Sequence, residues 1–301
     1  AGVMHNILRA LGDTVDGCLR LSEMNIGEDA ALIRAMQAFA PRSLSALQVD
    51  GNALSAEFIE AVAKMAENIS QLSMNCCQLD SKSVRLLLEI GRSYPQLTDL
   101  SMSFNDLSSA VIPDNVASLV HVCPTLTSLH LASCNLGLSA MSQLVHAITE
   151  LHHLEDLDLS QNISVNSAHV GLILNSCSHL SRLNVAATSV TEVNAELNIV
   201  SKLHEVNLSL CELCDDAKSL FGWMLQCCDE ITYVDLRATN ISFVQLDAYC
   251  KGKGNKQPVT TLKLAGCGEV ESDEGAFVSM MKIVVTTDFG VRFELEEEFK
   301  N

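Results

Sequence analysis

The sequence predicts an α/β solenoid of about ten repeats wound into a curved horseshoe, with a parallel β-sheet on the concave face and helices on the convex face. Three observations carry this. The spacing of Leu126, Leu129, Leu131, Cys134 and Leu136, an LxxLxLxx(N/C)xL pattern, recurs from Asp16, Leu44, Ile69, Leu97, Leu126, Leu154, Leu180, Leu203, Ile231 and Val259. Successive starts lie mostly 28 or 29 residues apart, which is room for one strand, one helix and two turns. The first, fourth and sixth positions of the ten repeats are apolar everywhere except at Asp16, whereas a chain that is 48% apolar would fill about half of them by chance.

Taken in order, residues 1–15 carry Val3, Met4, Ile7, Leu8 and Leu11 at helical spacing and read as an N-terminal capping helix over the open end of the core. Residues 16–270 form the solenoid. In each repeat the first half alternates, as in Leu100-Ser-Met102, so one face joins the core and the other lines the concave surface. The second half changes period. Leu32, Ala35, Met36 and Phe39, then Phe58, Ala61, Val62 and Met65, then Met141, Leu144, Val145 and Ile148, then Ala217, Leu220, Phe221 and Met224 follow the i, i+3, i+4, i+7 rule of a helix packing one stripe inward. Ser55, Ser81, Ser139, Asp215 and Ser242 are expected N-caps, and Pro113 suits a first helical turn. The repeat from Leu180 is only 23 residues long, so a short 3₁₀ turn is expected in place of its helix. The basic, Gly-rich stretch 251–258 reads as a solvent loop. Residues 271–301 supply a C-terminal cap, with a helix around Phe277–Met281, a final strand at Val291–Phe293 and an acidic tail from Glu294 to Glu298.

The formal charge of −18 opposes nucleic acid and anionic membranes and favours a protein partner with a basic surface. No run of 18 apolar residues exists, and the start carries no secretory pattern. The twelve cysteines do not read as a disulfide framework: Cys77, Cys134, Cys211 and Cys267 occupy the ninth repeat position, and Cys123, Cys177 and Cys228 lie three residues before a repeat begins. Both positions point inward, where a free thiol behaves as a small hydrophobe, so a reducing compartment is expected: the cytoplasm first, with cytoskeletal association or the nucleus as secondary alternatives.

Position nine also carries Asn52, Asn105, Asn162, Thr188 and Thr239. Backbone groups turn inward where a strand ends, and a short side chain with a donor satisfies them. With the 28/29-residue rhythm and the Cys-x-x-Leu entries, this mixed ladder resembles the ribonuclease-inhibitor-like class of leucine-rich repeats over about residues 16–270. That class contains inhibitors, ubiquitin-ligase substrate receptors, a GTPase activator and cytoskeletal regulators, so the resemblance implies an interaction role without a partner. The alternative it allows is a regulatory subunit. A substrate receptor would need an F-box-like helical segment, for which the 15 residues before the first repeat are too few; a GTPase activator would depend on an exposed arginine such as Arg20 or Arg237.

Ser101, His130 and Asp158 stand in one row at position five, in the order of nucleophile, base and orienter. The amides near them belong to the sheet and an open surface does not exclude water, so the expectation is a polar rung with a hydrogen bond between His130 and Asp158, and no enzyme. Cys211 and Cys214 with Cys227 and Cys228 have the composition of a zinc site, but the ladder already explains Cys211, and no metal or other cofactor is expected. No Gly-rich phosphate loop is present. The expected function is a non-catalytic protein-interaction module, a scaffold or regulatory component of a larger assembly. Its expected contacts are Asp99, Phe104, His130, Asp156, Asp158, Glu205, Leu210, Tyr233 and Asp235, which combine carboxylates with aromatic and apolar groups and hold no core or capping duty in this register.

The register makes a stability prediction. Asn162→Ala removes a ladder donor and lowers stability by roughly 1–3 kcal/mol, while Asn135→Ala, one position past its own ladder cysteine, costs far less. Equal shifts of Tm in the two variants would mean that the register is displaced.

Overall fold

The computed structural model describes residues 17–26, 32–34, 44–66, 69–90, 94–108, 115–193, 202–213, 231–241, 261–263 and 292–294. The fold is a leucine-rich-repeat solenoid, and the chain divides into two compact units, Ala1–Leu154 and Glu155–Asn301. In the first unit β1 (Cys18–Arg20), β2 (Ala46–Gln48), β3 (Gln71–Ser73), β4 (Asp99–Ser101) and β5 (Ser128–His130) pair in sequence order, all parallel. In the second, β6 (Asp156–Asp158), β7 (Arg182–Asn184), β8 (Glu205–Asn207), β9 (Tyr233–Asp235), β10 (Thr261–Lys263) and β11 (Arg292–Glu294) do the same. Each strand is three residues long because only repeat positions three to five are extended. The register sets like positions side by side: Gln71 faces Asp99, and Asp158 faces Asn184. The terminal strand read from Val291–Phe293 lies one residue further on.

In β1 to β9 the middle residue of the strand and the residue two beyond it form the core. Leu47, Leu129, Leu157 and Val234 are fully buried, as are Val49, Leu131, Leu159 and Leu236. Burying each such side chain contributes roughly 1.5–3 kcal/mol. The helices α1 (Ala56–Ala66), α2 (Ser81–Ile90), α3 (Asn115–His121), α4 (Leu138–Thr149) and α5 (Ser167–Ser176) close the repeats. The expected stripes are the buried ones: Phe58, Ala61 and Val62 on α1, and Met141, Leu144, Val145 and Ile148 on α4. Tyr94 is buried beneath α2 and its hydroxyl donates to the carbonyl of Leu87 at 2.6 Å, satisfying an acceptor of the last helical turn.

One cap assignment holds, two change and one cap is new. Ser55 caps α1, its Oγ accepting from the Phe58 amide. On α2 the cap is Asp80, whose Oδ1 accepts from the Ser83 amide at 2.9 Å, and Ser81 is the first helical residue. Helix α4 starts after Gly137 with no side-chain cap, so Ser139 lies inside it. On α5 Asn166 and His169 form a reciprocal capping box, unread in the sequence because histidine stands where glutamate usually does. The caps expected at Asp215 and Ser242, Pro113, the short turn after Leu180, the loop 251–258, the N-terminal helix and most of the C-terminal cap lie outside the described residues.

The ladder works by three geometries. Asn105 Oδ1 accepts from the amides of Cys77 and Leu79, while its Nδ2 donates to the carbonyls of Met74 and Met102; Asn52 likewise joins its repeat to the one before. A cysteine reaches one repeat back: the thiols of Cys77, Cys134 and Cys211 donate to the carbonyls of Val49, Met102 and Val185. Thr188 and Thr239 donate to Val185 and Leu236 within their own repeats. Cys123 and Cys177 at the entry position are buried.

One position before the ladder the chain turns through left-handed backbone in every described repeat: Glu23, Gly51, Cys76, Phe104, Ser133, Gln161, Ala187, Leu210 and Ala238 have φ between 51° and 70°. This conformation costs a non-glycine residue roughly 1–2 kcal/mol, so most repeats carry a strained turn that the core sustains. Ala187→Gly is therefore expected to raise stability by about 1 kcal/mol, and Gly51→Ala to lower it, since the new Cβ would also lie 3.0 Å from Glu23 Cγ. Thermal denaturation checks both; a fall in Tm for Ala187→Gly would contradict the strain.

Candidate functional site

The strand faces opposite the helices are built by positions three and five, whose side chains leave the sheet away from the core. In the second unit this face is a run of charge. Arg182 donates from Nε and Nη2 to Asp156 Oδ2, at 3.0 and 2.7 Å, and Glu205 stands exposed on the next strand. The hydrogen bond to Asp156, then its charge, holds the Arg182 guanidinium above its ordinary pKa. Further along, Arg237 grips Asp235 through Nε and Nη2 at 2.9 and 2.7 Å, and Lys263 Nζ lies 5.4 Å from the centre of the Tyr233 ring.

Several of these side chains hold backbone as well as facing solvent. Asp158, Asn184, Asn207 and Asp235 each accept, through Oδ1, the amide two residues ahead: Ser160, Ala186, Ser209 and Arg237 at 2.9 to 3.2 Å. In the first unit the same position-seven amides are capped from the neighbouring repeat. Asp50 Oδ1 accepts from Asn75, Asn75 Oδ1 from Ser103, and Ser103 Oγ from Ala132. Asp158 and Asp235 therefore carry a capping duty that the repeat spacing did not reveal. Asp235 is 1% exposed, so its carboxylate is spent inside the fold. Asp156, Asp158 and Tyr233 are half-buried, and Glu205 and Leu210 are exposed.

The first unit brings together Asp99, His130 and Phe104 differently. Asp99 Oδ2 accepts from Thr98 Oγ1 at 2.6 Å, and His130 Nε2 lies 3.4 Å from Ser128 Oγ. Ser101 donates to Asn75 Oδ1 at 2.7 Å, so its proton is directed away from His130. A serine poised as a nucleophile would donate to the base instead. Three buried cysteines offer no alternative nucleophile: burial pushes the Cys77 thiol up to about 11 and those of Cys123 and Cys177 up to about 12, so all three are protonated at neutral pH. Cys211 is occupied by the ladder, and Cys214, Cys227 and Cys228 lie outside the described residues.

Where the strands end, Phe104 is 51% exposed and stands over an open groove of about 600 Å³ lined also by Cys76, Leu79, Asp80, Asp106 and Ser108. Asp80, Asp106 and Cys76 were not singled out in the sequence. Their signal is position: they fall at the turn and in the loop just after it, where side chains answer to neither the core nor the sheet. Among the described residues, no helix is long and apolar enough to cross a membrane.

A family model for the leucine-rich repeat matches residues 122–145, the repeat around Leu126. The chain is 26% identical to the Tonsoku-like protein of Mus musculus over 284 residues, an alignment covering 85% of this chain and 20% of that protein, so the chain spans about a fifth of that relative's length. Its fold is similar to the crystal structure of the leucine-rich repeat-containing protein LegL7 from Legionella pneumophila, with a TM-score of 0.52 and 19% identity over 89% of each chain. The fold is thus that of a leucine-rich-repeat solenoid.

The two ion pairs differ in what they leave behind when broken. Arg237→Ala strips a buried carboxylate of its counter-charge and is expected to cost roughly 1.5–3 kcal/mol, whereas Arg182→Ala opens an exposed pair worth at most about 1 kcal/mol. Urea denaturation of the two variants decides it, and a larger loss for Arg182→Ala would show that Asp235 does not depend on its arginine.

Proposed function

We propose that the protein is a non-catalytic scaffold or regulatory component that captures a basic protein partner on its strand faces, in the cytoplasm or another reducing compartment such as the nucleus. The observation that carries this is the set of exposed groups beside those faces: Glu205, Leu210 and Phe104 are open to solvent without holding the fold's backbone through their side chains. Interfaces draw their energy from a few apolar or aromatic anchors inside a polar surround, and these groups supply both elements. The formal charge of −18 adds long-range attraction for cations and repulsion for phosphate. Asp99, His130, Asp156, Asp158 and Tyr233 complete the proposed contact set, with Asp235 supporting it from within through Arg237. The 28/29-residue rhythm and the mixed Asn, Cys and Thr ladder support placing the chain in the ribonuclease-inhibitor-like class.

The test is site-specific photo-crosslinking in native cell extract. Benzoylphenylalanine at His130 or Glu205 is expected to capture a protein that the same group at Glu57 on α1 does not. With that protein in hand, Glu205→Lys should slow association about tenfold and flatten its salt dependence, because an exposed charge acts mainly on encounter. Tyr233→Ala should accelerate dissociation by about tenfold or more, the usual consequence of removing an anchor. Preferential capture at Glu57, or unchanged kinetics in both variants, would move the partner to the helical side.

A further inference from the structure

We infer that the groove beneath Phe104 is a pocket for an arginine side chain presented by an unstructured basic segment of the partner. This deepens the strand-face reading and rests on it, since the groove lies at the ends of β3 and β4, beside that face.

The argument starts from the groove's walls. Phe104 offers half of its ring surface at a left-handed backbone position, φ +61°, where the following Asn105 is locked into the ladder; the ring's anchor is therefore rigid. Leu79 is buried at the floor, and the exposed Asp80 and Asp106 stand on the rim. Both carboxylates are ionised at neutral pH. Hydrogen bonds from Ser108 and then Asn135 hold Asp106 below its usual value, and on Asp80 burial pushes upward but is outweighed by the bonds from Ser83 together with the amide and charge of Lys82. Oδ1 of Asp80 accepts from the Ser83 amide and hydroxyl, and Oδ1 of Asp106 accepts from the Ser108 amide and the Asn135 side chain, which fixes each carboxylate's orientation. Among the described residues no Lys, Arg or His lines the groove, although the charge of Lys82 on α2 acts on Asp80.

An aromatic face that shares a groove with two oriented carboxylates is complementary to one chemistry above others. A guanidinium is flat, stacks on a ring, and carries five donors in a fork that matches a carboxylate; an ammonium can satisfy the charge but not the stacking. An apolar side chain would strand both carboxylates, and an anion would be repelled by them and by the net charge. A short flexible segment also suits an open groove better than a folded surface, because a single long side chain can enter without shape-matching the rim.

Cys76 supplies a local reporter, since it is exposed and lines the same groove. The experiment measures the rate of maleimide labelling at Cys76, located by mass spectrometry, with a blocked Arg-Gly repeat peptide as the probe. Its citrulline-Gly counterpart has the same shape without the charge. The arginine peptide is expected to slow labelling at least fivefold and the citrulline peptide not at all. Protection should fall at least tenfold in apparent affinity in Asp80→Asn and Asp106→Asn. Both substitutions preserve the fold's contacts, because asparagine caps a helix as well as aspartate and still accepts the Ser108 amide. Phe104→Leu should weaken it too, and leucine is tolerated in this backbone geometry, as Leu210 shows at the equivalent position. Protection that survives all three substitutions, equal protection by citrulline, or none at saturating peptide overturns the proposal. If these groove variants leave binding of the crosslinked partner intact while Glu205→Lys weakens it, the arginine pocket falls and the strand-face reading stands; if neither set matters, both fall.

Discussion

A strand of three residues is too short to end gracefully: its last amides and carbonyls turn inward, away from water, beside a core that offers them nothing. The structure depends on how that debt is met. Position nine meets it from inside the coil, with Asn52 and Asn105 using both ends of their amides and the cysteines using a single weak donor. Because the ladder residue must point inward and the chain must then leave toward the helix, the residue before it is forced through left-handed backbone. The core, the ladder and the turn are thus one constraint seen at three successive places.

The amide at position seven shows a second solution to the same problem, and the two units solve it differently. In the first, Asp50, Asn75 and Ser103 cap it from the neighbouring repeat; in the second, Asp158, Asn184, Asn207 and Asp235 cap it from within their own strand. The choice decides which side chains remain for a partner. Where position five does the capping, its carboxylates and amides are partly consumed, and Glu205, Leu210 and the Tyr233 ring are what the face has left to offer. Where position seven does it, position five is released, and exposed acidic groups lie in the loop beside Phe104, each with Oδ1 already bonded.

The fold was legible because its signal is redundant: ten starts at one rhythm outvote the single polar exception at Asp16. The buried stripe of α4 and the parallel register of like positions follow directly from that rhythm. Helix starts were less legible, since one side chain decides each of them and several candidates lie within one turn; Asp80 prevailed over Ser81 by a matter of geometry, and Gly137 shows that a helix can begin with none. The site was legible as a face and not as individual roles. Spacing told that Asp158 and Asp235 point away from the core, but whether a carboxylate is open or already bound to an amide two residues ahead depends on local rotation that no periodicity encodes. The groove residues Asp80 and Asp106 were invisible for the complementary reason: they sit in the part of the repeat that the pattern leaves unspecified.

The unequal rungs of the ladder have a consequence for how the chain loosens. Asn52 and Asn105 each tie their repeat to the preceding one by bonds in both directions, so opening either seam severs several at once. Thr188 donates to Val185 inside its own repeat and Thr239 does the same with Leu236, while the Thr188 hydroxyl meets the next repeat at the Cys211 thiol, 3.6 Å away, a weaker tie than an asparagine makes. In an array whose cooperativity is the sum of its nearest-neighbour couplings, seams held by asparagine transmit order and seams held by threonine permit it to stop. Amide exchange should then run in blocks rather than uniformly, with breathing that begins at a threonine rung, dies out at Asn52 and Asn105, and leaves the repeats around Phe104 the slowest to open.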